Sequence, residues 1–288
     1  MAQGASPRRH DADRHSADHR SEAVSENRAR ILAVLVAVYA CQMVDRQLPG
    51  ILLPMIKADL KLTDTELGIL TGPAFAVVFI VFGLPVAWLA DRRSRRAIVA
   101  VAVSAWSLMT AATAFAGGLW SMMVFRIGVG IGEAGCGPVS HAIIAEHYKP
   151  SERGAAMGVY YWGSAIGTVI AMLGGGWVGE QFGWRPAFLA AGLPGIVLAI
   201  IVYRTVPDSR RAADASEPSM SLGAALSFLA RQRAFVFLCV AAALSNMAYA
   251  GGLGWVPSFF NRSHGLGGTE IGAWLALATG VIAVIGLF

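Results

Sequence analysis

Residues Ile31–Ile56 form an apolar run with a charged pair, Asp45–Arg46, inside it. About 20 such residues cross a bilayer as a helix, so this run is long enough to span. A charge near the bilayer centre costs about 2.5–3.5 kcal/mol on insertion scales. Two adjacent charges are therefore expected to face protein or a water-filled cavity, with the rest of the chain as their enclosure. The plainer alternative puts the pair near the helix end, reaching the headgroups, because Pro49 and Gly50 follow closely.

The remainder of the chain supports the enclosure. Only 14% of its 288 residues are charged and 56% are hydrophobic, whereas soluble domains carry about 25% charged residues. The expected class is an all-α polytopic membrane protein. The net charge of +5 does not point to nucleic acid, because the basic residues cluster in loops instead of forming one face. Cys41, Cys136 and Cys239 fall inside apolar runs, and no disulfide is expected. His15 and His19 have helical spacing for a metal, but the composition around them reads as a solvated disordered tail. No metal site and no cofactor are expected.

Seven further apolar runs follow: Leu67–Ala90, Ala97–Ala116, Trp120–His147, Gly154–Gly179, Pro186–Tyr203, Phe235–Phe260 and one from about Thr269. Ser221–Ala230 reads as a short amphipathic helix on the membrane surface. The domains expected are a disordered cytoplasmic tail (1–28), a six-helix lobe (29–205), a cytoplasmic linker (206–232) and an incomplete second lobe (233–288). With the N-terminus cytoplasmic, the inner segments hold 17 of the 23 lysines and arginines and the outer ones hold 4. That asymmetry sets the orientation, in the inner membrane if the cell is bacterial. Six spans, an inner linker and further spans are the layout of a two-lobed transporter, whose lobes contain three-helix inverted repeats and whose site lies near the midplane.

The loop after the second span reads Ala87-Trp88-Leu89-Ala90-Asp91-Arg92-Arg93-Ser94-Arg95-Arg96. It resembles the major facilitator superfamily pattern G-x-L-A-D-R-x-G-R-R, with Ala87 and Ser94 where that pattern has glycine. Arg126-Ile127-Gly128-Val129-Gly130-Ile131-Gly132-Glu133-Ala134 is similar to the family's fourth-helix pattern R-x-x-x-G-x-G-E-A. With Val44-Asp45-Arg46 and Gly183-Trp184-Arg185, the combination resembles the Spinster branch. The resemblance implies a major facilitator fold: the N-terminal six-helix lobe plus the first two helices of the C-terminal lobe. It implies a gating loop of Asp91, Arg92, Arg95 and Arg96, with Asp91 latching the inner gate against the other lobe. It also implies proton coupling and a lysolipid-like or sphingolipid-like substrate, although carriers of sugar acids and organic anions share much of the pattern. Protons, membrane lipids and a small-molecule or lysolipid-like solute are then the partners, with a monomer expected at full length.

Spacing sharpens the site. Arg126 and Glu133 are seven apart and share a helix face, about 10 Å apart along the axis. Tyr39, Gln42 and Arg46 share a face in the first span, and Asp45 points about 100° away from Arg46. Asp45 and Glu133 are expected to be the protonatable pair, with Arg46 and Arg126 tuning them, because desolvation and a neighbouring arginine act on a carboxylate in opposite senses. A static ion network fixing helix register is the alternative. His141 could relay protons. Tyr39, Gln42, His141, Tyr160, Tyr161, Ser164, Asn246 and Tyr249 are the expected substrate-cavity residues, although aromatics at these depths also serve as packing. Carriers of this kind have a complete second lobe, so the sequence reads as truncated after Phe288. A non-transporting scaffold or an inactive truncated carrier is the alternative function. An intramembrane hydrolase built on Ser164, near Gly163, Gly167 and His141, is a remote one. No enzyme activity is expected.

Overall fold

The computed structural model describes residues 7–90, 93–208, 222–253 and 255–287. The first helix, α1, runs Pro7–Leu60. The tail, expected to be disordered, is therefore helical from Pro7 onward. No glycine or proline interrupts residues 8–48, proline suits the first helical turn, and Glu26 pairs with Arg30 one turn on at 2.8 Å. The boundary placed at residue 28 is not a structural break.

The chain continues through α2 (Asp64–Thr71), α3 (Pro73–Ala90), α4 (Arg95–Thr113), α5 (Leu119–Glu133), α6 (Cys136–His147) and α7 (Arg153–Ile170). A π-helical turn at Ala171–Gly175 links α7 to α8 (Gly176–Phe182). Then come α9 (Trp184–Thr205), α10 (Leu222–Arg231), α11 (Arg233–Leu253), α12 (Val256–His264) and α13 (Gly268–Leu287). Among the described residues there is no strand.

Among the described residues, four helical stretches are long and apolar enough to cross a membrane: Ser25–Leu60, Arg95–Thr113, Arg153–Phe182 and Trp184–Thr205. Three other expected spans are interrupted. The second breaks at Gly72, before Pro73, because proline pushes the residue before it out of the helical region. The fourth breaks between α5 and α6 at Ala134–Gly135, and the seventh breaks between α11 and α12. The eighth is α13, which begins at Gly268.

In the first lobe α4 packs on α9 and α5, and α1 packs on α7 and α9. Close approach is built into α7. A Cβ at Gly167 would lie 2.2 Å from the Ala40 carbonyl oxygen, and one at Gly163 would lie 2.5 Å from that of Val36. Small residues let helices meet backbone to backbone. Two apolar cores result. One, towards the N-terminal end of α1, holds Ile31, Leu35, Val103, Trp106 and Ile143. The other, at the far end, holds Leu48, Leu52, Leu67, Trp184, Phe188 and Ile271. The Asp45–Arg46 level lies between them. The second lobe meets the first at the far end, where α12 contacts α1 and α13 contacts α7, α8 and the π turn.

Candidate functional site

Between the two cores, α1 and α5 bring their charges together in a crossed arrangement. Arg46 Nε donates to Glu133 Oε2 at 2.7 Å. Gln42 Nε2 donates to the same oxygen at 3.3 Å and to the Glu133 main-chain oxygen at 3.5 Å. The second bond is open to Gln42 because Glu133 is the last residue of α5, where helical carbonyls lose their internal partners. From the other side, Arg126 Nη1 donates to the Asp45 main-chain oxygen at 3.3 Å. The arginine of each helix thus reaches the acidic position of the other.

Exposure divides the cluster. Glu133 (0%), Asp45 (1%), Gln42 (2%) and Arg126 (4%) are buried, whereas the Arg46 side chain is 32% exposed. Arg46 also lies over the Phe79 ring of α3, 4.8 Å from its centroid. Among the described residues, neither carboxylate oxygen of Asp45 and not Oε1 of Glu133 has a hydrogen-bond partner. Thr110 of α4 flanks Asp45 without hydrogen-bond geometry. Buried polar atoms are nearly always paired; here three carboxylate oxygens are unmatched, together with Thr110 Oγ1, Ser107 Oγ and Ser140 Oγ on the neighbouring helices.

Beside the cluster, towards the N-terminal end of α1, sits a knot of rings. Tyr39 stacks on Tyr160 at 4.8 Å with 13° between planes. Tyr161 meets Tyr39 edge-on at 5.7 Å. His141 lies edge-on to Tyr160 and Tyr161, at 5.4 and 5.9 Å, and its Nε2 is 3.4 Å from the Tyr161 hydroxyl. The hydrogen bond of His141 thus runs to Tyr161, on a helix separate from α5. Tyr160 is buried and backs Tyr39, while Tyr161 is exposed. Ser164 is half-buried on α7. The side chains of Asn246 and Tyr249 lie outside the described residues.

Of the gating loop, Asp91 and Arg92 lie outside the described residues. Arg95 is buried, pairs with Glu146 of α6 and donates to the Ala142 carbonyl oxygen at 3.4 Å. Ser94 caps α4, accepting from the Ala97 amide, and its hydroxyl donates to Asp208 just beyond α9 at 2.5 Å. Arg96 pairs with the same carboxylate at 3.4 Å and lies over the Tyr203 ring at 4.5 Å. These bonds tie the start of α4 to α6 and to the end of α9, all within the first lobe. Glu146 and Asp208 stand 51 and 112 residues from their arginines, so no local spacing marks them. Among the described residues, no three His, Cys, Asp or Glu side chains group to hold a metal.

The Major Facilitator Superfamily profile matches residues 35–288, and the chain belongs to that family. Its fold is the major facilitator fold, here the N-terminal six-helix lobe with the first two spans of the second. The Spinster-like resemblance is also present. Protein spinster homolog 1 of Homo sapiens is 25% identical over 250 residues, 82% of this chain and 46% of that protein. A crystal structure of a bacterial homologue of the human lysosomal transporter Spinster, inward-facing and unoccupied, superposes with a TM-score of 0.77 at 29% identity, covering 90% of this chain and 60% of that one. An MFS-type efflux pump of Mycolicibacterium smegmatis is 33% identical over 256 residues, 89% of this chain and 60% of that protein. The chain spans about half to three fifths of the length of these relatives.

Proposed function

We propose that the protein is a secondary active transporter working by alternating access, with protons as the coupling ion. The crossed cluster of Asp45, Arg46, Arg126 and Glu133 carries this reading. Its two carboxylates are buried between facing helices, and among the described residues three of their four oxygens lack a hydrogen-bond partner. A proton taken up by Glu133 cancels the charge that holds Arg46, so α1 and α5 lose their strongest bond at that level. A proton on Asp45 neutralises a carboxylate buried in the same layer. Each event changes the interhelical contacts a rocking motion must break, and loading from one side with release to the other couples the proton to the motion.

The solute proposed is amphipathic and lipid-like, or an organic anion. Arg46, a third exposed, presents positive charge from the cluster, and Tyr161 and His141 supply an adjoining face that is partly apolar and partly polar. Half-buried Tyr39 completes that wall, and Gln42, buried behind it, holds Glu133 in place. The N-terminus is read as cytoplasmic and the far end as outer. Counterflow in proteoliposomes tests the substrate class. Exchange of a labelled lysophospholipid or a labelled sugar acid supports it, and an absence of exchange with both rejects it. The static-network reading draws on the 2.7 Å Arg46–Glu133 bond, which would equally hold helix register. It requires transport, where present, to be indifferent to neutralising Asp45.

A further inference from the structure

At the far end, two carboxylates of the first lobe hold two helices of the second. Asp64, the first residue of α2, accepts from Arg262 Nη1 at 3.0 Å and Nη2 at 2.6 Å. It also accepts from Lys57 Nζ of α1 at 2.6 Å. The planar guanidinium matches a carboxylate in this two-pronged way. Asp64 is aimed by the cap beneath it: Thr63 Oγ1 accepts from the Glu66 amide at 3.3 Å, and Glu66 accepts from the Thr63 amide at 2.8 Å. Arg262 and Lys57 hold the Asp64 carboxyl down at about 2.

The second point is Glu180 at the end of α8. Its carboxylate accepts from the Thr269 amide at 2.8 Å, in the first turn of α13. That amide has no partner within its own helix, and an anion there is favoured by the helix dipole. Next to it the two backbones touch: a Cβ at Gly176 would lie 2.5 Å from the Gly268 carbonyl oxygen. Under both points is a cavity of about 240 Å³, lined by Ile51, Pro54, Met55, Pro257 and Ile271 among others.

We propose that Asp64 and Glu180 are the two latches of an outer gate, and that opening to the outside requires Arg262 to leave the first and Thr269 to leave the second. This rests on the alternating-access reading above. Both latches bridge the lobes where α12 and α13 close over the cavity, so neither survives their separation. Both are exposed: the Asp64–Arg262 ion pair is weak on that account, and Glu180 holds Thr269 by a single hydrogen bond to an amide, so neither contact alone locks the gate. Lys57 stays with Asp64 throughout, since both belong to the first lobe. It keeps the carboxylate charged and positioned for Arg262 to return.

The test uses the full-length protein in proteoliposomes, with Cys41, Cys136 and Cys239 replaced and a single Ile271→Cys reporter in the cavity. A membrane-impermeant maleimide is added from the outer side. Asp64→Asn and Arg262→Gln are each expected to raise the labelling rate about fivefold. The double variant should do no more than either single one, and Glu180→Gln should raise the rate to a lesser degree. On the unmutated gate, about 1 M salt should raise labelling as well, because it screens exposed pairs; this arm needs no gate variant to fold. Labelling that proceeds but changes by less than about twofold in every arm overturns the latches while leaving alternating access standing. A reporter that stays unlabelled even when Asp64→Asn and Glu180→Gln are combined overturns both.

Discussion

Arg46 and Glu133 form one ion pair but are unequal partners. Removing Arg46 takes the bonded cation from a carboxylate with no exposure and leaves it the hydrogen bond from Gln42, and a buried charge that loses its ionic partner is costly. Removing Glu133 leaves an arginine that is a third exposed and can turn to water. Arg46→Gln is therefore expected to lower the thermal midpoint in detergent more than Glu133→Gln at pH 8. Equal midpoints in the two variants would contradict the crossed pairing. The four charges were legible in the sequence as residues that lipid could not accept. Their pairing was not. A rotation of about 100° per residue says that Asp45 and Arg46 diverge, but not which of them meets which residue on a helix some 90 positions away. The release of the Glu133 carbonyl to Gln42 was also hidden, because it depends on the break at Ala134–Gly135.

The elements obey the same division. Apolar run lengths set out the order of the helical stretches, but three of the expected spans are broken, and nothing in the sequence singled out the glycines of α7 as places of close approach. Which backbone they approach emerges only from packing. Gly167→Ala would set a methyl group 2.2 Å from the Ala40 carbonyl oxygen, forcing α7 away from α1. A loss of about 1–3 kcal/mol is expected, typical of overpacking and readable as a lower thermal midpoint. Gly158→Ala, on the same helix with nothing within 4 Å, should be neutral or stabilise by about 0.5–1 kcal/mol, because alanine is the better helix former. The helical tail was obscured by composition: charge and low hydropathy read as disorder, although residues 8–48 contain no helix breaker. The breaks in the second and fourth spans differ in the same respect. Pro73 marks the first openly, whereas nothing at Ala134–Gly135 distinguishes it from the glycines upstream.

For the whole molecule, the two proposals separate proton chemistry in the membrane layer from mechanical closure at the outer end. Their pH responses differ accordingly. The Asp64 carboxyl is held below its ordinary value of 3.8, at about 2, by Arg262 and Lys57. A depressed carboxyl contributes its stabilisation fully above the ordinary value and loses it as pH falls towards the depressed one. The outer latch should thus be indifferent to pH between about 5 and 8, and Ile271→Cys labelling should be flat across that range with no gradient imposed. The proposed mechanism assigns any dependence of transport on a pH gradient in that range to Asp45 and Glu133. The most direct measurement is uptake into proteoliposomes of a counterflow-competent solute, with and without an imposed pH gradient, comparing the parent with Asp45→Asn. The expected result is that the variant still exchanges solute at equal pH but no longer accumulates it when the gradient is applied. Accumulation with undiminished gradient dependence in Asp45→Asn would contradict the account.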